Sequence, residues 1–558
     1  MQIWKNKLLF CSILLFAFLL RVYGLDHYPP SLFSDEVSQG YNAYSILLTG
    51  HDEYGKYLPV SLRSFGDWKP PLQTYLIVPF IYIFGLNAWS VRLPSAILGT
   101  VTVGLFFFLP KLILEKFTSW NKKLNMRVSL LAMIFLCISP WHILQSRSAM
   151  LAGIALFFTV LGLHSFFKGL LVNKKYWFVS GIAFVLAIYS YYGMRLIIPL
   201  LILILLMFFR KEIYKNFLLL FVASLVSGIL LLPLGLAFIK EPNVVFGRAR
   251  TVSVFYDKGV SLRIWQQIAE DGITMNTKLA QFYHNKPFNY LSDIVRRFFE
   301  HLDGRFLFLI GDQNPPFQIP GMGVLYLIDA IFIVIGIAYI LKTSPSLFKF
   351  LGILVIISIL PAAFTYVTPA SNRTLTLLLP LAIVTAIGFT HTLYSIRKVR
   401  TFIAFSTLMY IGSFVYFIYQ YFYIIPYTHA DWWHYGYKEL VSYVKQNPLN
   451  VDYTSISGKA SVPYIFYLFY NQIDPNSINK KIIRNYHSDE FGFEHVDQFD
   501  NIDFIRYFTW EEYQGKLQSN SLLAVTAQEN VNISNSVTEV KKIYFPDGRV
   551  AFRLYRIQ

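Results

Sequence analysis

Between Ser34 and Pro71 the chain reads SDEVSQGYNAYSILLTGHDEYGKYLPVSLRSFGDWKPP, which sets five carboxylates, Asp35, Glu36, Asp52, Glu53 and Asp67, beside Lys56, Arg63 and Lys69. A positioned carboxylate can take a proton from a hydroxyl, and an adjacent acid can orient it or bind the acceptor. Asp35 is the candidate base and Glu36 its neighbour in that role. Lys69 stands in DWKPPL, where two prolines stiffen the backbone behind it. A lysine there offers a point charge for a phosphate. Arginines recur after apolar runs: Arg147 in SPWHILQSR, Arg195 in SYYGMR and Arg373 in PASNR. A guanidinium suits phosphate through paired donors. Asp67, Tyr41, Asp312 and Asn372 are the polar residues expected to touch substrate. Together these types could abstract a proton and stabilise a departing phosphate.

Each residue also has a plainer reading. Asp35 precedes a helical pattern (Tyr41, Tyr44, Leu48) and would serve as a helix cap. Lys69 and any single arginine would serve as interface anchors whose stems lie along apolar surface. The case for chemistry rests on several such residues reaching one side of a membrane, where charge is costly and usually marks a substrate path.

The elements that must position them are apolar. The 558 residues are 55% hydrophobic, 18% aromatic and only 15% charged, with a mean hydropathy of +0.46. Soluble domains carry about 25% charge. Several apolar runs reach the roughly 20 residues needed to cross hydrocarbon. The expected fold class is an all-α polytopic membrane protein. The net charge of +17 gathers in short loops between apolar runs, as the positive-inside rule expects, and no basic stretch with interleaved aromatics suggests nucleic acid. Cys11 and Cys137 both lie in apolar segments, which excludes a disulfide framework and a cysteine metal site. The histidines show no HExxH spacing, and Walker A, GxGxxG and GxSxG motifs are absent. No metal and no cofactor are expected: carboxylates could hold a divalent cation, but the basic set can neutralise a phosphate alone.

Lys5 and Lys7 place the N-terminus in the cytoplasm, with an uncleaved first helix after them. If Leu72–Gly85 does not span, every later basic cluster falls inside; if it spans, all fall outside. Leu72–Gly85, bounded by Pro71 and Gly85 and broken by Pro79, is therefore read as interfacial or re-entrant. About eleven spans follow, near 8–24, 92–113, 128–144, 150–170, 176–191, 196–209, 216–239, 322–341, 350–367, 374–394 and 401–425. Residues 1–430 form a membrane module with external loops 25–91 and 240–321. Residues 431–558 lack long apolar runs. A helical pattern at Tyr435–Val444, strand-like runs at Ser521–Thr526 and Arg549–Arg556, and turns at Asn447–Pro448 and Pro546–Gly548 predict a small extracytoplasmic α/β domain.

Four stretches, SDEVSQGYNAYSILLTG, DWKPPLQTYL, NAWSVRLPSAILGT and SPWHILQSR, occur in order and resemble bacterial glycosyltransferase family 39. That family belongs to the GT-C superfamily, with the protein O-mannosyltransferases and the lipid A aminoarabinose transferase. The resemblance covers residues 1–425. It implies many spans, interfacial helices in the first external loop, and a polyprenyl-phosphate sugar as donor. Asp35 matches the catalytic acid of the family's DE motif, and Lys69 a lysine that contacts the carrier phosphate. The β-trefoil insert of the eukaryotic protein mannosyltransferases is missing, and residues 431–558 point to no particular acceptor. The expected function is inverting transfer of a sugar from a polyprenyl-phosphate donor to an extracytoplasmic lipid, polysaccharide or protein at the cell membrane. The alternative is a transporter or flippase of polyprenyl-linked glycans, which would place ionisable groups near the midplane and show paired repeats. A binding or assembly protein would leave Ser34–Pro71 without a purpose.

Overall fold

The computed structural model describes residues 2–257, 259–274, 276–489 and 492–558. The side chain of Lys5, used above to orient the chain, lies outside that set. Two compact units form, and neither follows chain order. One holds Met1–Ala17, Gly99–Gln145 and Ala152–Phe417; the other holds Phe18–Leu98, Ser146–Leu151 and Ile418–Gln558.

Among the described residues six helices are long and apolar enough to cross a membrane: Ala88–Phe117, Leu151–Leu171, Phe217–Lys240, Pro345–Ala363, Leu375–Ser395 and Val399–Thr428. A bent pair, Lys122–Ile138 and Pro140–Ser146, turns by 58° at its break and makes a seventh if it is one span. Pro140 lacks the N–H needed to carry the helix through. The chain is a multi-pass membrane protein. Four of the eleven expected spans fall outside this set: Gln2–Val22, whose first side chains are not described, Leu327–Thr343 with 17 residues, and two shorter helices. The helices Tyr176–Ser190 and Met194–Phe208 have 15 residues each. At 1.5 Å per residue that is about 22 Å, short of the ~30 Å hydrocarbon layer.

The unit built from the first external loop and the tail positions the acidic stretch. Its first helix, Ser34–Thr49, ends at Gly50, whose φ of +73° suits glycine and whose N–H donates to the Ile46 carbonyl. Strands β1 (Leu62–Ser64) and β2 (Asp67–Lys69) form a hairpin, pairing Ser64 with Asp67 and Leu62 with Lys69. Its two-residue turn, Phe65-Gly66, has φ of +56° and +81°, the left-handed pair that a tight hairpin requires. Pro70 and Pro71 follow, and a helix runs from Leu72 to Phe84.

The tail is a seven-stranded mixed sheet. Its strands are β3 (Tyr453–Ser457), β4 (Ile482–Asn485), β5 (His495–Phe499), β6 (Ile502–Ile505), β7 (Ser521–Thr526), β8 (Val537–Tyr544) and β9 (Val550–Ile557), in the order β4-β5-β6-β3-β7-β9-β8. Only β3 pairs in parallel, with β6 on one side and β7 on the other. The expected helix lies at Tyr437–Gln446, and the two expected strand runs are β7 and β9. Loop and tail share one core. Val37, Tyr41, Phe65, Ile77 and Val91 pack in the same apolar cluster as Tyr437, Phe466, Phe469 and Leu554. Gly40 is the point of closest approach, where a Cβ would come within 2.7 Å of Phe469 and 2.6 Å of Val91.

Candidate active site

Asp35 is the second residue of the Ser34–Thr49 helix, and Lys69 is the last residue of β2. Lys69 Nζ donates to Asp35 Oδ1 at 2.6 Å. The two side chains differ in exposure: 6% for Lys69 and 43% for Asp35. The ammonium is enclosed, with the Phe65 ring 4.6 Å from it, while the carboxylate opens to the outside. The Ser38 and Ser64 hydroxyls, 2.6 Å apart, tie the helix to the hairpin behind this pair.

Glu36 faces the opposite way and is fully buried. Its two oxygens receive Arg92 Nε and Nη2, each at 2.9 Å. They also accept the backbone N–H of Phe33 at 3.0 Å and of Ala149 at 2.8 Å. Arg92 spends its remaining reach on the carbonyls of Leu25 and Pro29, at 2.9 and 3.0 Å, and on that of Ser31. A buried carboxylate is tolerated when paired and hydrogen-bonded this fully. Glu36 thus fixes the entry to the helix on which Asp35 sits. Arg92 opens the RLPSA stretch and was not among the expected site residues.

Arg147 is likewise buried and caged. It donates to the carbonyls of Leu20 at 2.7 Å, Tyr23 at 2.6 Å and Tyr28 at 2.9 Å, and to the Tyr421 hydroxyl at 3.2 Å. The Tyr41 hydroxyl donates to the Ile473 carbonyl at 2.7 Å. Asp67 closes the hairpin turn and accepts from Trp68 N at 2.8 Å. The structure therefore brings Asp35, Glu36, Lys69, Asp67, Tyr41 and Arg147 into one unit, with Asp35 and Lys69 in contact.

Three tail contacts went unread in the sequence. His434 stacks on Phe33, centroids 4.9 Å apart, one residue before the Ser34–Thr49 helix. Burial lowers its pKa to about 4 although the nearby Asp35 carboxylate acts the other way, so the ring is neutral at pH 7. Arg484 Nη2 donates to the Glu53 carbonyl at 2.9 Å, while the Tyr464 hydroxyl and Asn42 Nδ2 donate to the Glu53 carboxylate at 3.1 and 3.2 Å. Arg63 pairs with Glu494 beside the hairpin turn. Apart from Asn42–Glu53, each joins residues hundreds of positions apart, which no local pattern announces.

Asp312, Asn372, Arg373 and Arg195 lie in the other unit. Asp312 is buried and accepts from Ser371 N at 2.6 Å and Asn314 N at 2.8 Å, which sets it beside the Asn372–Arg373 segment. Burial raises its pKa despite those bonds. Arg373 donates to the Thr365 hydroxyl and to the Val367 carbonyl at 3.0 Å. Arg195 donates to the carbonyls of Val244 and Val245 at 2.9 and 3.1 Å. Among the described residues no group of three or more His, Cys, Asp or Glu side chains is arranged to hold a metal ion.

Comparison with known proteins meets this geometry from outside. Residues 68–235 match the family model described as dolichyl-phosphate-mannose-protein mannosyltransferase. No curated protein sequence matches the chain. The structure of ArnT from Cupriavidus metallidurans bound to undecaprenyl phosphate aligns over 99% of this chain and 98% of its own, with a TM-score of 0.55 and 12% identity. The archaeal oligosaccharyltransferase AglB from Archaeoglobus fulgidus, in complex with an inhibitory peptide and a dolichol-phosphate, aligns over 84% of this chain and 64% of its own, with a TM-score of 0.48 and 14% identity. The family match thus takes in the stretches from WKPPL to SPWHILQSR and leaves out the one with Asp35, while the fold is shared with ArnT over nearly the whole chain.

Proposed function

We propose that this protein is an integral membrane glycosyltransferase that moves a sugar from a polyprenyl-phosphate donor to an extracytoplasmic acceptor. The observation that carries this reading is the Asp35–Lys69 contact of 2.6 Å, in which the acid is open and the ammonium enclosed. The matched family model names a dolichyl-phosphate sugar, and the ArnT structure holds undecaprenyl phosphate; both are lipid phosphates of one chemical class.

The reaction is a single displacement. The acceptor oxygen bonds to the anomeric carbon as the bond from that carbon to the phosphate oxygen breaks, so the configuration inverts. The acceptor proton goes to Asp35 as general base. The charge that develops on the leaving phosphate is stabilised by Lys69, already desolvated and therefore strong in its effect. Glu36 acts through Arg92 as a positioning residue, and Arg147 and Tyr41 hold the frame around it. Asp67, at the mouth of the hairpin, contacts substrate. Arg195 and Arg373 are proposed on donor phosphate, and Asp312 and Asn372 on substrate, each role to be tested by itself. The reading calls for no metal. Residues 1–430 carry the catalytic module, and residues 431–558 brace its first external loop on the outer face of the cell membrane.

The test is direct. Purified protein in nanodiscs is incubated with radiolabelled polyprenyl-phosphate sugars, and free carrier phosphate is measured beside Asp35→Asn and Lys69→Ala variants. Release from one donor, lost in both variants, is the expected result. Normal turnover by Asp35→Asn would remove the assignment, and lipid scrambling without release would move it to a flippase.

A further inference from the structure

The helix Lys286–Glu300, packed beside Gly259–Asp271, is inside out. On Lys286–Glu300 the buried residues are Asn289, Asp293 and Arg297, only 5–6% exposed, spaced i, i+4, i+8 along one face. The opposite face carries Phe288, Leu291, Val295 and Phe299, which are 46–62% exposed. At 100° per residue the two stripes lie on opposite sides of the helix. Gly259–Asp271 is mixed: it buries Val260 and exposes Leu262 and Trp265 alongside Gln266 and Glu270. The seam between the two helices is polar: Asn289 Nδ2 donates to Gln267 Oε1 at 3.1 Å, and Arg263 Nη1 to Asp293 Oδ1 at 3.2 Å.

A helix pair in water buries its apolar stripe and exposes its charges. Lys286–Glu300 does the reverse, so the medium beside its exposed stripe is apolar. The pair's place in the chain agrees, since only the short helix Asn243–Val252 and one turn separate it from the Phe217–Lys240 helix, which is long and apolar enough to cross a membrane. Exposed basic residues, Lys278, Lys286 and Arg296, accompany the apolar face and suit lipid phosphates.

We infer that these two helices lie flat in the headgroup layer of the bilayer, with Leu262, Trp265, Phe288, Leu291, Val295 and Phe299 among the upper acyl chains. The C-terminal end of the pair is fastened to the loop that leads to Asn372 and Arg373. Arg297 Nη1 donates to the Thr365 carbonyl at 2.9 Å, Thr368 Oγ1 donates to Glu300 Oε2 at 2.5 Å, and Ala370 N donates to His301 Nε2 at 3.0 Å. The bilayer surface therefore sets the height of that loop. On the proposed function, of which Arg373 is a part, this registers a phosphate ligand against the layer where carrier phosphates reside; the lipid contact itself does not depend on that function.

The experiment uses the full chain with Cys11 and Cys137 replaced and single cysteines at Leu291→Cys, Trp265→Cys and, as a water-facing reference on the tail, Ser519→Cys. Each carries an environment-sensitive fluorophore in phosphatidylcholine–phosphatidylglycerol nanodiscs. Nitroxide lipids labelled near the headgroup should quench the 291 and 265 probes at least about threefold more than aqueous iodide does, with the reverse order at 519. Because the two probes sit on different helices, a folding defect in one variant leaves the other to decide. Iodide quenching at 291 and 265 equal to that at 519 would overturn the inference. So would protection from both quenchers, which would mean that a protein, such as a second copy of the chain, covers the face.

Discussion

Arg63 Nε donates to Glu494 Oε2 at 3.1 Å, joining two residues that stand 431 positions apart. Beside this pair, Glu494 N donates to the Phe65 carbonyl at 3.0 Å. The tail therefore grips the hairpin that ends in Lys69 through both a side chain and the backbone. Glu494→Ala should cost about 1–2 kcal/mol, measured by thermal unfolding in detergent, because it strands a half-buried guanidinium. It should also lower turnover more than donor binding, since it loosens Lys69 without removing it. A charge reversal, Arg63→Glu with Glu494→Arg, should recover part of the stability. An unchanged melting profile in Glu494→Ala would show that the backbone contact alone suffices.

Asp35 and Glu36 are neighbours with opposite expected phenotypes. Asp35→Asn should fold and purify as the parent does, and lose about 100- to 10,000-fold in turnover. Glu36→Gln or Arg92→Ala should instead fail at the level of folding, because either breaks a fully buried ion pair at about 3–5 kcal/mol. Yield and monodispersity after size exclusion separate the two outcomes. A well-folded, soluble Arg92→Ala protein would contradict the positioning role given to Glu36.

Lys69→Arg and Lys69→Met divide charge from shape. If the enclosed ammonium acts on the leaving phosphate, Lys69→Met should lose most turnover while Lys69→Arg keeps a measurable fraction. Rates on one radiolabelled donor would decide. Equal activity in both variants would mean that Lys69 only fills space above Phe65.

Asp52 offers a pH signature. Burial raises its carboxyl from an ordinary 3.8 to about 6, against the N–H groups of Lys56 and Tyr54, which donate to its Oδ1 at 2.8 and 3.0 Å. Its folded pKa lies above its unfolded one, so the folded state holds the proton more tightly. The group's contribution is therefore most favourable below pH 4 and is lost as pH rises from about 4 to about 6. Asp52→Asn keeps an oxygen for both donors and removes the titration. It should raise stability at pH 7 by about 1–3 kcal/mol and flatten the profile between pH 4 and 6. A variant with the parent's pH profile would exclude Asp52 as the source.

The local signals were legible where chemistry and backbone restriction coincide. The acid pair before a helical pattern and the lysine before two prolines both stand out in one dimension, and Asp35 meets Lys69 in space. The tail's β7 and β9 were legible because their apolar runs are short and bounded by turns. What stayed hidden was partner choice. Arg147 reads as a phosphate ligand by type and position, yet three backbone carbonyls and a tyrosine hydroxyl take its donors. Glu53 reads as a loop acid, yet Arg484 and Tyr464 enclose it. Hydropathy alone does not set the number of spans, because it scores 15-residue apolar helices without measuring how far they reach.

The core that Val37, Tyr41 and Phe65 share with Phe469, Phe552 and Leu554 imposes an order on biogenesis. The acidic loop leaves the ribosome about four hundred residues ahead of the partners it packs against. Throughout synthesis of the intervening chain the loop's apolar side waits uncovered, open to chaperones and proteases. A polypeptide released before β9 would insert its membrane helices and still lack the surface against which the loop closes. β9 must therefore be made before the loop can close, because Leu554 is part of the surface on which Val37, Tyr41 and Phe65 pack.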